Sequence, residues 1–305
     1  KMVWDDPEEP QLAFQELKRE DKEIEDFNRQ ADEHDKEMEK QRNPLRIFRE
    51  MIDHETILGY GQPKVGKTFA SASFVEAIIK NGGHVFIINT DNGVKRTYQA
   101  YFKDKFNDVM KHISYYLVTD FDNINEVINE IKIKVTFKDL IIIDLIDDFW
   151  EMAQSKFIED VCKGMGISLA DYILMASKQS DKFGTLDKNQ WQYVKKLDEM
   201  LITNFVIRPP CMIFASCGAK DIEVAKIYAK RDPDILYELN KFEEVGSRPG
   251  GQKRLHYKFN TVVYMGEKRD GKKYFILMGD RGFLRNSQKI EYERNFYEAF
   301  MRLRK

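Results

Sequence analysis

The sequence predicts an α/β fold with a central, mostly parallel sheet flanked by helices. Three observations predict it. Apolar runs of strand length alternate with helical stripes beyond the first 43 residues. One run, Leu140-Ile141-Ile142-Ile143, is apolar at every position, as a strand covered on both faces requires. Between the first strand and the first helix lies Gly61-Gln62-Pro63-Lys64-Val65-Gly66-Lys67-Thr68, a complete G-x-x-x-x-G-K-[ST] loop, which belongs at a strand-to-helix turn.

The elements follow in order. Residues 1–43 are dense in charge and carry no Pro or Gly from Gln11 to Gln41, so a long helix is allowed. Phe14, Leu17, Ile24, Ala31 and Met38 fall on heptad seam positions that Asp21, Asn28 and Asp35 interrupt. The segment reads as a charged helical arm, either a solvated face or a docking arm for a neighbouring subunit or partner protein. Asn43-Pro44 marks the boundary to a single domain over 44–305.

In that domain, Thr56–Tyr60 is the first strand and Phe69–Lys80 the helix after the loop, stopped by Asn81-Gly82-Gly83. His84–Asn89 and Tyr115–Val118 are the next strands. Asn123–Val135 has a helical stripe, and Leu140–Asp144 is the central strand. A helix over about 146–161 follows, then a loop with a short helix over 163–189, a helix over 191–203 and a strand over 211–216. Residues 218–256 read as irregular. Phe259–Met265 and Lys273–Met278 form a hairpin around Asp270-Gly271, and 289–304 reads as a closing amphipathic helix.

Composition narrows the function. The 305 residues are 42% hydrophobic, enough for a core, and 33% charged. A net charge of −2 gives no global field for nucleic acid, so any such contact needs a local patch. Cys162, Cys211 and Cys217 form no C-x-x-C pair, and no His stands at zinc spacing. No run reaches the length of a membrane span and no signal-peptide core is present, so the expectation is a cytoplasmic protein without a membrane partner.

The loop carries the chemistry. Its glycines let backbone N–H groups wrap a polyphosphate, Lys67 reaches the β- and γ-phosphates, and the Thr68 hydroxyl takes a place on Mg²⁺. The nucleotide-contacting set is Gly61, Gln62, Pro63, Lys64, Val65, Gly66, Lys67, Thr68 and Phe69. Asp144, at the end of the buried strand, is the second oxygen for Mg²⁺, and the same residue type would also cap the helix that follows. Hydrolysis further needs a carboxylate to polarise water. The position after Asp144 is Leu145, so that acid is not there. Asp147 and Asp148 are alternative acids, or simply helix N-terminal charge.

Asp91, at the end of the second strand, stands 24 residues after Lys67, and this spacing resembles the RecA-like ATPases, whose second strand ends in a catalytic Glu; the resemblance implies Asp91 as the acid that polarises water. The order of strands and helices through Asp144 resembles them too, over roughly residues 50–220. More narrowly, Asp144–Trp150, the helix opened by Trp191 and Gly279-Asp280-Arg281-Gly282-Phe283 resemble the small single-domain RecA-like ATPases of phages and archaea. The resemblance implies ATP as ligand, Mg²⁺ as cofactor, a ring or filament of identical subunits, and action on DNA, with single strands favoured. It also implies a basic residue acting from the next subunit or on DNA. Lys220, Arg248, Lys253 and Arg254 are the candidates, with Lys268 and Arg269 beside them. Asp91 is one methylene shorter than the family Glu, and Ser216-Cys217 replaces the γ-phosphate-sensing Asn-Gln pair. Both departures put fast turnover in doubt. Two alternatives stay open: a viral DNA-packaging motor, virion-associated in that case, and a nucleotide-switched interaction module with slow hydrolysis.

Overall fold

The computed structural model describes residues 55–178, 188–229, 236, 239–281 and 289–303. The charged arm over 1–43, the Asn43-Pro44 boundary, the stretch around Gly184, and Gly282-Phe283 lie outside them. The chain divides into two units, Lys1–Ile52 with Phe157–Asp187 and Asp53–Lys156 with Lys188–Lys305. In the first, the described residues 157–178 are helical. In the second lies a nine-stranded sheet.

The elements are β1 (Thr56–Gly61), α1 (Lys67–Lys80), β2 (Val85–Asn89), α2 (Val94–Phe102), α3 (Phe106–Met110), β3 (Ile113–Leu117), α4 (Phe121–Lys134) and β4 (Leu140–Asp144). They continue with α5 (Asp148–Met165), α6 (Leu169–Lys178), α7 (Lys188–Ile202), β5 (Met212–Asp221), α8 (Ile222–Ala229) and β6 (Ser247–Pro249). β7 (Thr261–Glu267), β8 (Lys273–Asp280), β9 (Ile290–Tyr292) and α9 (Phe296–Arg302) close the chain.

The strand order is β3-β2-β4-β5-β1-β7-β8-β9, with β6 on β5. The six strands from β3 to β7 run parallel, and β8 and β9 are antiparallel additions. Parallel strands need crossover helices, and α1, α2 and α4 supply them. β4 is buried along its whole length, which explains its unbroken apolar run. Burying each of its large side chains contributes about 1.5–3 kcal/mol.

The core on the α1 face is aromatic. Phe74 of α1 packs on Phe214 of β5 at 4.9 Å between ring centroids and on Phe296 of α9 at 5.8 Å. Phe275 of β8 meets Phe296 at 4.9 Å. Thus the chain's last helix seals the helix that follows the phosphate loop. Trp150 of α5 and Trp191 of α7 stack with planes 4° apart.

Three sequence expectations are corrected. The single closing helix over 289–304 is a strand followed by a shorter helix. Ile290 and Tyr292 alternate onto β8, and the Asn295 side chain accepts from the Glu298 N–H to start α9 afresh. Residues 218–256 are not simply irregular: β5 runs on to Asp221, α8 follows, and β6 returns to pair with β5. The stretch after 161 is more helical than expected, because α5 reaches Met165 and α6 spans ten residues. The expected elements also include no helix between the second and third strands, where α2 and α3 lie; the other strands and helices lie within a few residues of the expected bounds.

Candidate functional site

The site lies at the carboxyl ends of β1, β4 and β5, where the loop after β1 turns into α1. Two left-handed residues shape that loop: Lys64 at φ 68° and Gly66 at φ 98°. Gly61 is required for a different reason. A methyl group on it would fall 2.3 Å from the carbonyl oxygen of Met265 in β7. Gly66 accepts from the Ala70 N–H at 2.8 Å, closing the first turn of α1. That helix end and the inward N–H groups make a ready anion site.

Lys67 is buried, and its Nζ donates to the carbonyls of Gly61 at 3.0 Å and Gln62 at 3.1 Å. Burial lowers its pKa, while Cys217, Asp144, Asp147 and Asp91 oppose that shift. The ammonium thus lies in the field of three carboxylates, Asp91 beyond β2 and Asp144 and Asp147 at and beyond the end of β4.

Asp144 is fully buried at the end of β4. Its Oδ2 accepts from Thr68 Oγ1 at 2.7 Å, and its Oδ1 accepts from Ser216 Oγ on β5. Burial raises its pKa, and the two hydroxyls pull it back. Two hard oxygens, Thr68 Oγ1 and Asp144 Oδ2, therefore face each other beside a phosphate loop, and among the described residues no ammonium or guanidinium is bonded to the acid. That donor set fits Mg²⁺, which takes one or two protein oxygens and leaves its other positions to phosphate and water. Among the described residues no three His, Cys, Asp or Glu side chains cluster as metal ligands.

Asp91 sits two residues beyond β2, exposed at the rim, where its Oδ1 accepts from the Gly93 N–H at 2.8 Å. The buried Asn89 amide links it inward. Its nitrogen lies 3.0 Å from Asp91 Oδ1 and 3.0 Å from the Asp144 carbonyl, with its oxygen toward Tyr115. Thr90 holds the next turn: its N–H donates to the Asp144 carbonyl at 2.8 Å, and its hydroxyl donates to Asp148 and accepts from the Leu145 N–H.

Asp147 points the other way. Its Oδ2 accepts from the Gly218 N–H at 3.1 Å, and its Oδ1 is buried with no hydrogen-bond partner among the described residues. Burial raises its pKa. Gly250 packs so closely that a methyl there would lie 2.5 Å from Oδ2. The basic stretch 248–254 is therefore anchored at its glycines, and it is not the free loop its composition suggests. Arg248 is opposite Lys220 in the β5–β6 pair and donates to the Pro249 carbonyl at 3.1 Å. Lys220, Lys253 and Arg254 are exposed. Lys268 pairs with Glu291 on the far hairpin, beside the exposed Arg269. Cys211 and Cys217 are buried with thiol pKa values pushed up by burial, as small core residues would be.

The structure thus gathers Lys67, Thr68 and Asp144, keeps Asp91 at the rim and sets the basic candidates on β5, β6 and the turn beyond. Ser216, Thr90 and Asn89 act on the same cluster, and no local sequence pattern marks those roles.

One strand, β5, stands between the loop-bearing β1 and the acid-bearing β4, and the sheet continues past β1 into β7–β9. Residues 54–204 match the family model described as an AAA domain. The match takes in the phosphate loop and the acid-bearing β4, just under half of the chain, and supports the resemblance to the RecA-like P-loop ATPases. Among solved structures, the chain is similar to one titled "Crystal structure of the RadB recombinase", with 12% identity, 78% of this chain and 86% of that chain covered, and a TM-score of 0.42. No curated protein matches it. Among the described residues no helix is long and apolar enough to cross a membrane.

Proposed function

We propose that the chain binds ATP at residues 61–69, hydrolyses it, and works on DNA as an assembly of identical subunits. The observation that carries this reading is the contact of Thr68 Oγ1 with Asp144 Oδ2 at 2.7 Å, beside Lys67. A hydroxyl and a buried carboxylate meet where a phosphate loop would deliver its anion, within the field of the Lys67 ammonium.

Each side chain then has a task. Lys67 exchanges two loop carbonyls for the β- and γ-phosphate oxygens, so its charge is used without reorganising the loop. Thr68 and Asp144 hold Mg²⁺, which when bound neutralises charge on the phosphates. Ser216 keeps the Asp144 carboxylate in one orientation. Asp91, steadied by Asn89, accepts a proton from water at the rim. A basic residue from a neighbouring subunit, among Lys220, Arg248, Lys253 and Arg254, completes charge stabilisation or tracks a DNA backbone. Exposure of Lys220, Lys253 and Arg254 supports the second of these roles, with single strands favoured on the resemblance to the RecA-like ATPases.

A slower, nucleotide-switched module is the second reading. Asp91 favours it, because its carboxylate is short, exposed and already engaged by Gly93. Steady-state ATP hydrolysis with Mg²⁺, with and without DNA, separates the two. Turnover that DNA stimulates supports the first reading; tight binding without turnover supports the second.

A further inference from the structure

We propose that Lys273 is a second phosphate-binding lysine of the same subunit, exchanged between Glu267 and the bound nucleotide. The proposal rests on the reading of residues 61–69 as a nucleotide site and extends it to a residue more than 200 positions away.

Lys273 is the first residue of β8, and its backbone is fixed on both sides. It is opposite Glu267 in β7 and Tyr292 in β9. From there its side chain runs over the phosphate loop. A methyl group placed on Gly66 would lie 3.4 Å from Lys273 Cε and 3.8 Å from Nζ. Gly66 precedes Lys67, so the Lys273 ammonium stands at the turn whose N–H groups face a phosphate chain. The same lysine borders a cavity of about 1080 Å³ that Lys64, Gly66 and Phe69 line from the loop side and Arg294 from the other.

The ammonium is held by Glu267, and both partners are partly exposed. Exposed lysine–carboxylate pairs are weakly held, whereas a lysine on a phosphate oxygen makes a strong charge-assisted bond. Exchange of partner is therefore favourable and needs only rotation of a flexible side chain. Glu267 becomes a competitor of the nucleotide for one cation, so the two ends of the pair have opposite effects on binding. A merely structural cross-strand pair lacks this property: removing either end would weaken the hairpin alike.

The test is calorimetric titration of the full chain with ATP and ADP in Mg²⁺, with melting temperatures recorded in parallel. Lys273→Ala is expected to weaken binding about tenfold, equivalent to about 1.4 kcal/mol, and Lys273→Arg to restore most of it. Glu267→Gln is expected to tighten binding severalfold, with the weakening by added salt reduced in Lys273→Ala. Unchanged affinity in Lys273→Ala, or affinity lowered in both Lys273→Ala and Glu267→Gln, overturns the proposal while leaving the nucleotide site standing. If the unaltered chain binds neither nucleotide, the reading of the loop falls, and the role of Lys273 with it.

Discussion

Asp144 faces two opposed demands. The fold buries its carboxylate and raises its pKa, while the proposed role needs it ionised beside Mg²⁺. For a carboxyl group with a raised folded pKa, stability falls as pH rises above the unfolded value near 3.8, since ionisation is easier in the unfolded chain. Asp144→Asn removes that cost and keeps the shape. It is predicted to melt no lower than the natural chain at pH 8, and to lose turnover by on the order of 10²–10³. A melt and a phosphate-release assay on the same sample check both halves. Lys67→Ala is predicted to lose ATP binding itself, measured by titration. Asp144 was legible because its signal is local, four apolar residues ending in an acid. Ser216 was not, since its partner lies 72 residues away and only the β4–β5 pairing joins them. Nor was Lys273, whose nearness to Gly66 arises from the packing of β8 beside the loop.

At the level of the elements, α7 carries a clear pH test. Asp198 is buried, and desolvation raises its pKa to about 7. Below about pH 4 the carboxyl is protonated in both states. Between there and pH 7 only the unfolded chain releases the proton, so stability falls across that window and levels off above it. Asp198→Asn should raise the melting temperature at pH 8, with a benefit that shrinks as pH is lowered towards 4.5; melts across that range check it. The joint between β5 and β6 carries a second test. Gly250→Ala would put a methyl against the Asp147 carboxylate and is predicted to cost about 1–3 kcal/mol, read from urea unfolding. Elements with a strong local period, such as α4 and β4, were legible to within about two residues. The segment 289–304 was not, because Ile290 and Tyr292 fit a helical stripe as well as a strand, and only pairing with β8 decides between them. The turn over 248–254 misled for a related reason. Its glycines suggest freedom, yet Gly250 and Gly251 are needed for close approach to Asp147.

For the whole molecule, the order β3-β2-β4-β5-β1 follows from the alternation of strands and helices only as one of several possible arrangements. The phosphate loop and the terminal Asp of β4 narrowed that choice, because one ligand must meet both. Assembly is the property furthest from the sequence. If a neighbouring subunit contributes a basic residue to each site, specific activity rises with protein concentration, and a dilution series of the phosphate-release rate checks this. The central claim is tested most directly by ATP hydrolysis of the intact chain with Mg²⁺, alone and with single- or double-stranded DNA, beside Lys67→Ala and Asp91→Ala. The account predicts turnover that DNA, single-stranded above all, stimulates and that both substitutions abolish. ATP binding with no turnover under any of these conditions, or turnover that persists in Lys67→Ala, would contradict it.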